Sequence, residues 1–303
     1  MERAALGVLL LLAGTLAAGV ALRRRDLFPV KEVTMDMAPG SFDDEYRGCA
    51  GAMEAELAEL NRTEMASNRV YAEAWASAVS RWGERRQRAP RPPGLKPEQE
   101  LAILAYTIQG PLHGEFNAAV REAGRSRSYY LDHFHFKTFH FLLTKGLQAL
   151  RDAQPRRCSR VYRGVRGVRF AAERRRSVRF GHFTSSSLRN TSAWHFGQDT
   201  FFSVETCYGV AIRNFSFFPE EDEVLIPPSE SFQVTSVSRA GGRTVIELRS
   251  QDSFSSYNCA FVQEKRCKER PCVFSAGRSS PGGAPSLGGL LLAVSALTAA
   301  RGP

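Results

Sequence analysis

The acidic cluster at residues 220–223 is the strongest candidate for chemistry in this sequence. It reads Glu220-Glu221-Asp222-Glu223, precedes the apolar run Val224-Leu225-Ile226, and lies in a chain whose net charge is +10. Glu221 and Glu223 are two residues apart at a predicted strand entrance, so both side chains are expected on one face. One carboxylate of such a pair can stabilise a sugar cation while the other holds or deprotonates a nucleophile. The alternative is an acidic surface turn, since charge runs are usually solvated.

Two other polar features could act with these carboxylates. Arg163 lies inside a predicted strand, where an arginine suits bidentate phosphate binding, and its neighbour Gly164 would let a ligand approach the backbone closely. Ser185 lies in the hydroxyl-rich strand end 183–188, where serines can bind ribose hydroxyls or a carboxylate. The alternatives are a surface arginine and a capping serine cluster before a helix.

The spacing of apolar residues in the elements that position these residues changes halfway along the chain. The first half has apolar residues at helical spacing, which predicts helices at 45–60, 70–82, 97–108 and 111–123 and an amphipathic stripe from Phe139 to Leu150. The second half alternates, which predicts strands at 161–165, 177–183, 200–207, 211–218, 224–226, 232–238 and 244–248. Ala240-Gly241-Gly242 predicts a hairpin turn. Helices followed by strands indicate an α+β fold with a β-rich core.

Both ends of the chain indicate export. Residues 1–21 have a basic start and a short apolar stretch with small residues, which predicts a signal peptide; a signal anchor is the alternative. Residues 276–303 combine small polar residues with a terminal apolar tail, the layout of a glycolipid-anchor signal that is removed on attachment. Because that tail is only weakly apolar, plain secretion stays open.

Cysteines and glycosylation triplets agree with an exported protein. The six cysteines form an even set without C-x-x-C pairs, so we expect disulfides, although six cysteines allow fifteen pairings. Three triplets predict N-glycosylation, at Asn61, Asn190 and Asn214.

The charge pattern limits the classes of molecule that this protein is expected to bind. An exported basic chain favours anionic glycans, the cell surface and nucleotide phosphates over nucleic acid. Ten arginines lie between residues 156 and 179, and we expect most of them, but not Arg163, to form a solvated face. His133, His135 and His140 lie in an aromatic run that favours packing or surface positions over a metal site. A Ser-His-Asp hydrolase is disfavoured because no nucleophile-elbow pattern appears.

In chain order, Arg163, Ser185 and the Glu221-x-Glu223 pair resemble the R-S-E signature of the arginine-specific ADP-ribosyltransferases. The surrounding sequence is similar to the vertebrate ecto-enzymes of that family, its lipid-anchored members above all. The resemblance covers about residues 24–272 and is strongest at 42–44, 116–121, 161–164, 183–188 and 223–228.

The resemblance implies roles for these residues. Arg163, with Gly164 beside it, would bind a phosphate of NAD, and Ser185 would orient the active-site groups. Glu223 would be the essential catalytic glutamate, and Glu221 would select and activate the acceptor guanidinium. Further NAD contacts are expected at Tyr106 and Ser216.

The resemblance also implies the architecture. A single catalytic domain at 22–275 would have a helical part at about 40–153 packed on a split β-sandwich at about 158–262, which holds NAD. The implied disulfides are Cys49–Cys259 and Cys158–Cys207, which leaves Cys267 and Cys272 as a pair.

The expected partners follow from the same resemblance. NAD or NADP would be a co-substrate, with no permanently bound cofactor. The other partners would be arginine-bearing surface or secreted proteins and the membrane, through the lipid anchor, with the protein a monomer. Two alternatives stay open, an NAD glycohydrolase and a non-enzymatic binding module. Glu221 argues against the first, and the intact set of Arg163, Ser185 and Glu223 against the second.

Overall fold

The computed structural model describes residues 30–85, 91–155 and 157–269. The described residues up to Glu264 belong to one compact unit, and the end of the last helix, from Lys265, belongs to a second. The helices of the described residues are α1 Ala50–Ser67, α2 Arg69–Arg85, α3 Pro97–Thr107, α4 Pro111–Ala123, α5 Arg127–His133, α6 Lys137–Asp152, α7 Asn190–Phe196 and α8 Ala260–Glu269. The strands are β1 Lys31–Thr34, β2 Ser159–Val165, β3 Val168–Ala171, β4 Ser177–Arg179, β5 Thr184–Ser187, β6 Thr200–Thr206, β7 Val210–Ala211, β8 Glu223–Ile226, β9 Glu230–Ala240 and β10 Arg243–Ser253.

The helix boundaries follow local signals where proline or a cap is present. Helices α3 and α4 begin at Pro97 and Pro111, as predicted, because the fixed φ of proline suits the first helical turn. The prediction of a helix from residue 45 is wrong, since α1 begins at Ala50 and continues past Asn61. Helix α5 was not predicted, although its cap is a serine: the Ser126 hydroxyl accepts a hydrogen bond from the Tyr129 amide at 3.1 Å.

Helices α1 to α6 pack around one aromatic-rich core. Buried Glu64 of α1 accepts hydrogen bonds from the amides of Lys137 and Thr138 at 2.7 and 2.8 Å, which satisfies the free donors at the start of α6. In the same core, His140 is fully buried and its Nδ1 pairs with the Tyr46 hydroxyl at 2.8 Å. His140 is therefore a packed core residue, as expected.

The main sheet has the strand order β4-β9-β10-β6-β2-β5-β8-β7, and β1 pairs in parallel with β3 in a second sheet. Strands β2 and β6 pair along their length, from Ser159↔Thr206 to Val165↔Thr200. In contrast, β2 and β5 meet at one register position, Tyr162↔Ser187. The sheet is therefore split between β2 and β5. The predicted α+β class, with a helical half packed on a split sheet, is confirmed.

Two predicted strands are shorter in the structure. The predicted strand 177–183 ends at Arg179, because Gly181 has a φ of 68° and approaches Ala38 closely. The predicted strand 211–218 is wrong: β7 covers Val210–Ala211 and a 3₁₀ turn follows at Arg213–Phe215. The predicted hairpin turn is confirmed, with positive φ at Gly241 and Gly242 between β9 and β10.

Strand β8 separates two hydrophobic cores. Leu225 belongs to the core of the helical half, whereas Val224 and Ile226 belong to the core of the sheet half. Because side chains alternate along a strand, Glu223 lies on the face of Leu225, towards the helices.

Disulfides and a buried ion pair join segments that are distant in the sequence. Disulfides join Cys49 to Cys259 and Cys158 to Cys207, the pairs that the resemblance implied. Arg179 is buried and forms an ion pair with buried Asp43 at 2.6 Å. Arg179 is therefore not part of the solvated face that most of the arginines between residues 156 and 179 are expected to form.

Several predictions concern residues that the structure does not describe. The side chain of Cys267, the whole of Cys272, the signal peptide at 1–21 and the anchor signal at 276–303 lie outside the described residues. Among the residues described, none of the helices is long and apolar enough to cross a membrane. Asn190 and Asn214 are exposed, while Asn61 is half-buried and accepts a hydrogen bond from the Tyr71 hydroxyl at 2.7 Å.

Candidate active site

A cleft of ≈ 470 Å³ lies where β2 and β5 separate, with the end of α3 and the start of α4 along its side. All four residues predicted to be catalytic line this cleft: Arg163, Ser185, Glu221 and Glu223. The fold therefore brings together residues that are up to 60 positions apart in sequence, as the difference between 223 and 163 shows.

Arg163 bridges the split in the sheet. Its Nη1 donates a hydrogen bond to the main-chain carbonyl of Ser185 at 2.6 Å, so β2 and β5 are joined by a side chain where the ladder ends. Burial lowers the pKa of Arg163, but a guanidinium remains protonated in proteins. Its remaining N–H groups supply positive charge at the cleft wall.

Gly164 packs closely against α7 and the loop that follows it. A Cβ at this position would lie 2.1 Å from the carbonyl oxygen of Ala193 and 2.4 Å from that of Gly197. Glycine is therefore required because α7 and its C-terminal loop pack directly on β2. Gly164 also lines the cleft, and the expected close approach of a ligand to its backbone stays a prediction.

Glu223, the first residue of β8, is buried and 7% exposed. The Ser216 hydroxyl donates to its Oε2 at 3.4 Å, and the nearby Ser185 side chain lowers the pKa of the carboxylate. Burial raises the pKa of Glu223 above its ordinary value, and the serines and Arg163 oppose that rise. The carboxylate is thus held in one place at the inner end of the cleft.

Glu221 ends a 3₁₀ turn, Pro219–Glu221, and is half-buried. Burial, followed by the charge of Glu220, raises its pKa. Glu221 and Glu223 do share the cleft, but the predicted reason is wrong, because residue 221 is not in an extended strand. Asp222 between them is left-handed, with a φ of 48°, and this turn places both glutamates at the cleft.

The two predicted additional NAD contacts are buried supporting residues in the structure. The hydroxyl of Tyr106 donates to the Phe183 carbonyl at 2.8 Å and accepts from Asn117 at 3.0 Å, and its ring lines the cleft. Ser216 has no exposed surface and lies behind Glu223. Their direct contact with NAD stays a prediction.

The cleft also contains residues that the sequence patterns did not predict, notably His113, Arg166, Phe196 and Phe218. Burial, with help from the charges of Arg163 and Arg121, lowers the pKa of His113 to about 4, so its imidazole is neutral at physiological pH. No local motif marks His113, since it reaches the cleft only because α4 packs beside Tyr106, whose ring centroid lies 5.0 Å away.

Comparison with known proteins agrees with this geometry. Residues 35–256 match the family described as NAD:arginine ADP-ribosyltransferase. The chain is 55% identical over 278 residues to the erythroblast NAD(P)(+)--arginine ADP-ribosyltransferase of Gallus gallus, covering 92% of each chain. It is 52% identical over 265 residues to the GPI-linked NAD(P)(+)--arginine ADP-ribosyltransferase 1 of Homo sapiens, covering 83% of this chain and 81% of that one.

A solved structure shares the fold. The eucaryotic mono-ADP-ribosyltransferase ART2.2 is 38% identical, with a TM-score of 0.66, over 75% of this chain and 98% of that chain. Variants of that protein have been solved in complex with NADH and with NAD. From the family match, the identity to these relatives and the shared fold, this chain belongs to the NAD:arginine ADP-ribosyltransferase family.

Proposed function

We propose that this protein is a mono-ADP-ribosyltransferase that transfers ADP-ribose from NAD to arginine guanidinium groups of proteins and releases nicotinamide. The observation that carries the proposal is the arrangement of two carboxylates, Glu221 and Glu223, in one cleft with Arg163 and Ser185. A buried carboxylate beside a more exposed one suits a reaction that generates positive charge next to an incoming cationic acceptor.

The cleft has the size and charge for a dinucleotide substrate. Its volume of ≈ 470 Å³ lies in the range of sites for small molecules and cofactors, about 300–1,000 Å³. The guanidinium of Arg163 would bind an NAD phosphate with the N–H groups that Ser185 leaves free. Gly164 would lie beside that phosphate, Ser185 would orient the nicotinamide side, and Tyr106 and Ser216 would be further NAD contacts.

The chemistry assigns one role to each glutamate. The Glu223 carboxylate would accept a hydrogen bond from the 2′-hydroxyl of the nicotinamide ribose and stabilise the oxocarbenium-like cation as the C1′–N bond breaks. Nicotinamide leaves with the electron pair of that bond. A guanidinium nitrogen of the acceptor attacks C1′, and Glu221, which binds the guanidinium, takes the proton that the nitrogen loses.

Glu221 favours transfer over NAD hydrolysis, the first alternative. It is more exposed than Glu223, so an acceptor side chain can reach it from solvent. In the family that the chain resembles, glutamine at this position accompanies loss of arginine transfer and survival of hydrolysis. The second alternative, a binding module, would have no need for a buried glutamate held by Ser185 and Ser216.

We place this activity on the outer face of the plasma membrane. Relatives in human, mouse and rabbit are named as GPI-linked, and residues 276–303 have the layout of such an anchor signal. The catalytic domain would cover residues 22–275 after removal of the signal peptide, act as a monomer, and use NAD or NADP with no permanently bound cofactor. Its acceptors would be arginine-bearing surface or secreted proteins, with nucleic acid excluded.

The test is transfer of labelled ADP-ribose from NAD to agmatine by the purified protein, with nicotinamide release measured in parallel. Glu223→Ala is expected to abolish both reactions, and Glu221→Gln to abolish transfer while hydrolysis survives. Glu220→Gln is the matched control, because Glu220 is an exposed acid in the same turn that does not line the cleft. Hydrolysis without transfer by the parent would support the glycohydrolase, and no NAD turnover by folded protein would support the binding module.

A further inference from the structure

Asp222, between the two glutamates, forms ion pairs with two arginines from different segments. Its Oδ2 lies 3.1 Å from Nε of Arg189, which follows β5, and its Oδ1 lies 2.8 Å from Nη1 of Arg213, in the 3₁₀ turn after β7. The Asp222 side chain is 17% exposed and is not part of the cleft wall. It therefore points away from the cleft into which both of its neighbours project.

The backbone of Asp222 makes this divergence possible. The residue is left-handed, with a φ of 48° and a ψ of 49°, a conformation that residues other than glycine, asparagine and aspartate seldom adopt. Its carbonyl accepts a hydrogen bond from the Leu188 amide at 3.1 Å. The carbonyl of Glu221 accepts another from the Ser187 hydroxyl at 2.5 Å. The acidic turn is thus fastened to the end of β5 by backbone and side chain together.

We propose that Asp222 is a positioning residue, whose ion pairs with Arg189 and Arg213 hold the left-handed turn that aims Glu221 at the acceptor. This inference rests on the proposed transferase function. The two arginines belong to segments that also carry residues of the site: Arg189 follows the strand of Ser185, and Arg213 precedes Ser216, which donates a hydrogen bond to Glu223. The Asp222 clamp, meaning residues 189, 213 and 222, therefore couples three parts of the site.

The two glutamates depend on this clamp to different degrees. Glu223 is buried, begins a paired strand and receives a hydrogen bond from Ser216. Glu221 is half-buried, and no hydrogen bond to its carboxylate is present among the described residues. Loss of the clamp is therefore expected to displace Glu221 more than Glu223 and to reduce arginine transfer more than NAD hydrolysis.

The first variant is Asp222→Asn in the full-length chain, because asparagine tolerates the left-handed conformation but removes the charge. We expect kcat for transfer to agmatine to fall about 10–100-fold, as for a misplacement of the order of 1 Å. NAD hydrolysis and the KM for NAD are expected to stay within about threefold, since Arg163 is untouched. Glu220→Gln is the matched control: it removes a charge that raises the pKa of Glu221, so at pH 8, where that rise no longer matters, it should change neither reaction.

A mutant cycle tests whether the arginines act through Asp222. Arg189→Ala with Arg213→Ala should reproduce the loss of transfer, and adding Asp222→Asn should lower transfer little further, because residues that act together are not additive. The proposal is overturned if Asp222→Asn leaves the ratio of transfer to hydrolysis unchanged or if the losses simply add.

Hydrogen exchange separates this proposal from the proposed function. Peptides covering residues 216–226 should exchange faster in Asp222→Asn than in Glu220→Gln, whether or not the parent transfers ADP-ribose. A parent without transfer would contradict the proposed function, whereas equal exchange in the two variants would contradict the clamp.

Discussion

The guanidinium of Arg163 donates a hydrogen bond to the carbonyl of Ser185 at 2.6 Å, across the point where two neighbouring strands of one sheet separate. The backbone ladder between these strands is limited to Tyr162 and Ser187. Arg163 therefore both joins the edges of the cleft and supplies its charge, and a substitution there affects binding through geometry as well as charge.

Arg163→Lys is expected to raise the KM for NAD about 10–100-fold, the effect of losing one charge-assisted hydrogen bond. A lysine ammonium lacks the planar set of donors with which arginine can bind the Ser185 carbonyl and a phosphate together. Steady-state kinetics with varied NAD measure the effect. Arg160→Lys, exposed on the same strand, is the control, and an equal KM in the two variants would contradict this assignment.

Activity is expected to be lost on the acid side at a pH above 4.5, the ordinary pKa of glutamate. The reason is that burial raises the pKa of both Glu223 and Glu221. We call this part of the pH profile the acid limb. Both carboxylates must be ionised to act, so activity falls as pH falls through these raised pKa values. A profile of kcat/KM against pH measures the limb. In Glu221→Gln the hydrolysis limb should move to lower pH, since Glu221 contributes to the raised pKa of Glu223. A limb that stays in place or moves upward would count against this coupling.

Gly164→Ala is expected to destabilise the protein by about 1–3 kcal/mol, as overpacking does, and to lower NAD turnover. The added Cβ would clash with the carbonyl oxygens of Ala193 and Gly197, so α7 must move away from β2. Denaturant unfolding with intact disulfides measures the change. Gly51→Ala, in a helix with open space around the new methyl group, is the control and should be neutral or stabilising by about 0.5–1 kcal/mol. Equal free energies of unfolding for the two variants would refute the packing argument.

Stability is expected to fall as pH rises because of Asp44. This residue is buried, its Oδ1 accepts hydrogen bonds from the amides of Tyr46 and Cys259 at 2.7 and 2.9 Å, and its Oδ2 has no hydrogen-bond partner among the described residues. Burial raises its pKa from 3.8 to about 7. The folded state therefore keeps the proton that the unfolded state loses, and this contribution is full below pH ~4 and lost by pH ~7.

The difference between Asp44→Asn and the parent isolates this contribution. From the size of the pKa rise it amounts to at most about 4 kcal/mol. The difference between the unfolding free energies at pH 5 and at pH 8 should be smaller in Asp44→Asn than in the parent, because asparagine does not titrate. Asp132→Asn, an exposed position on α5, serves as the control and should follow the parent. A parent and an Asp44→Asn variant with parallel pH dependence would contradict a protonated Asp44.

The sequence alone determined the features that depend on neighbouring residues. Proline at the first helical position placed the starts of α3 and α4, and paired glycines placed the hairpin between β9 and β10. Alternation located most strands of the second half. The family resemblance identified Arg163, Ser185, Glu221 and Glu223, which the fold brings to one cleft.

Only the tertiary structure decided how those residues meet. The clash that makes Gly164 necessary involves α7, the burial of Arg179 depends on Asp43, and the left-handed Asp222 is held by Arg189 and Arg213. Local periodicity reports which backbone conformation a segment prefers. It cannot report which charge is buried or which turn is left-handed, because those outcomes depend on partners that are distant in sequence and close only after folding.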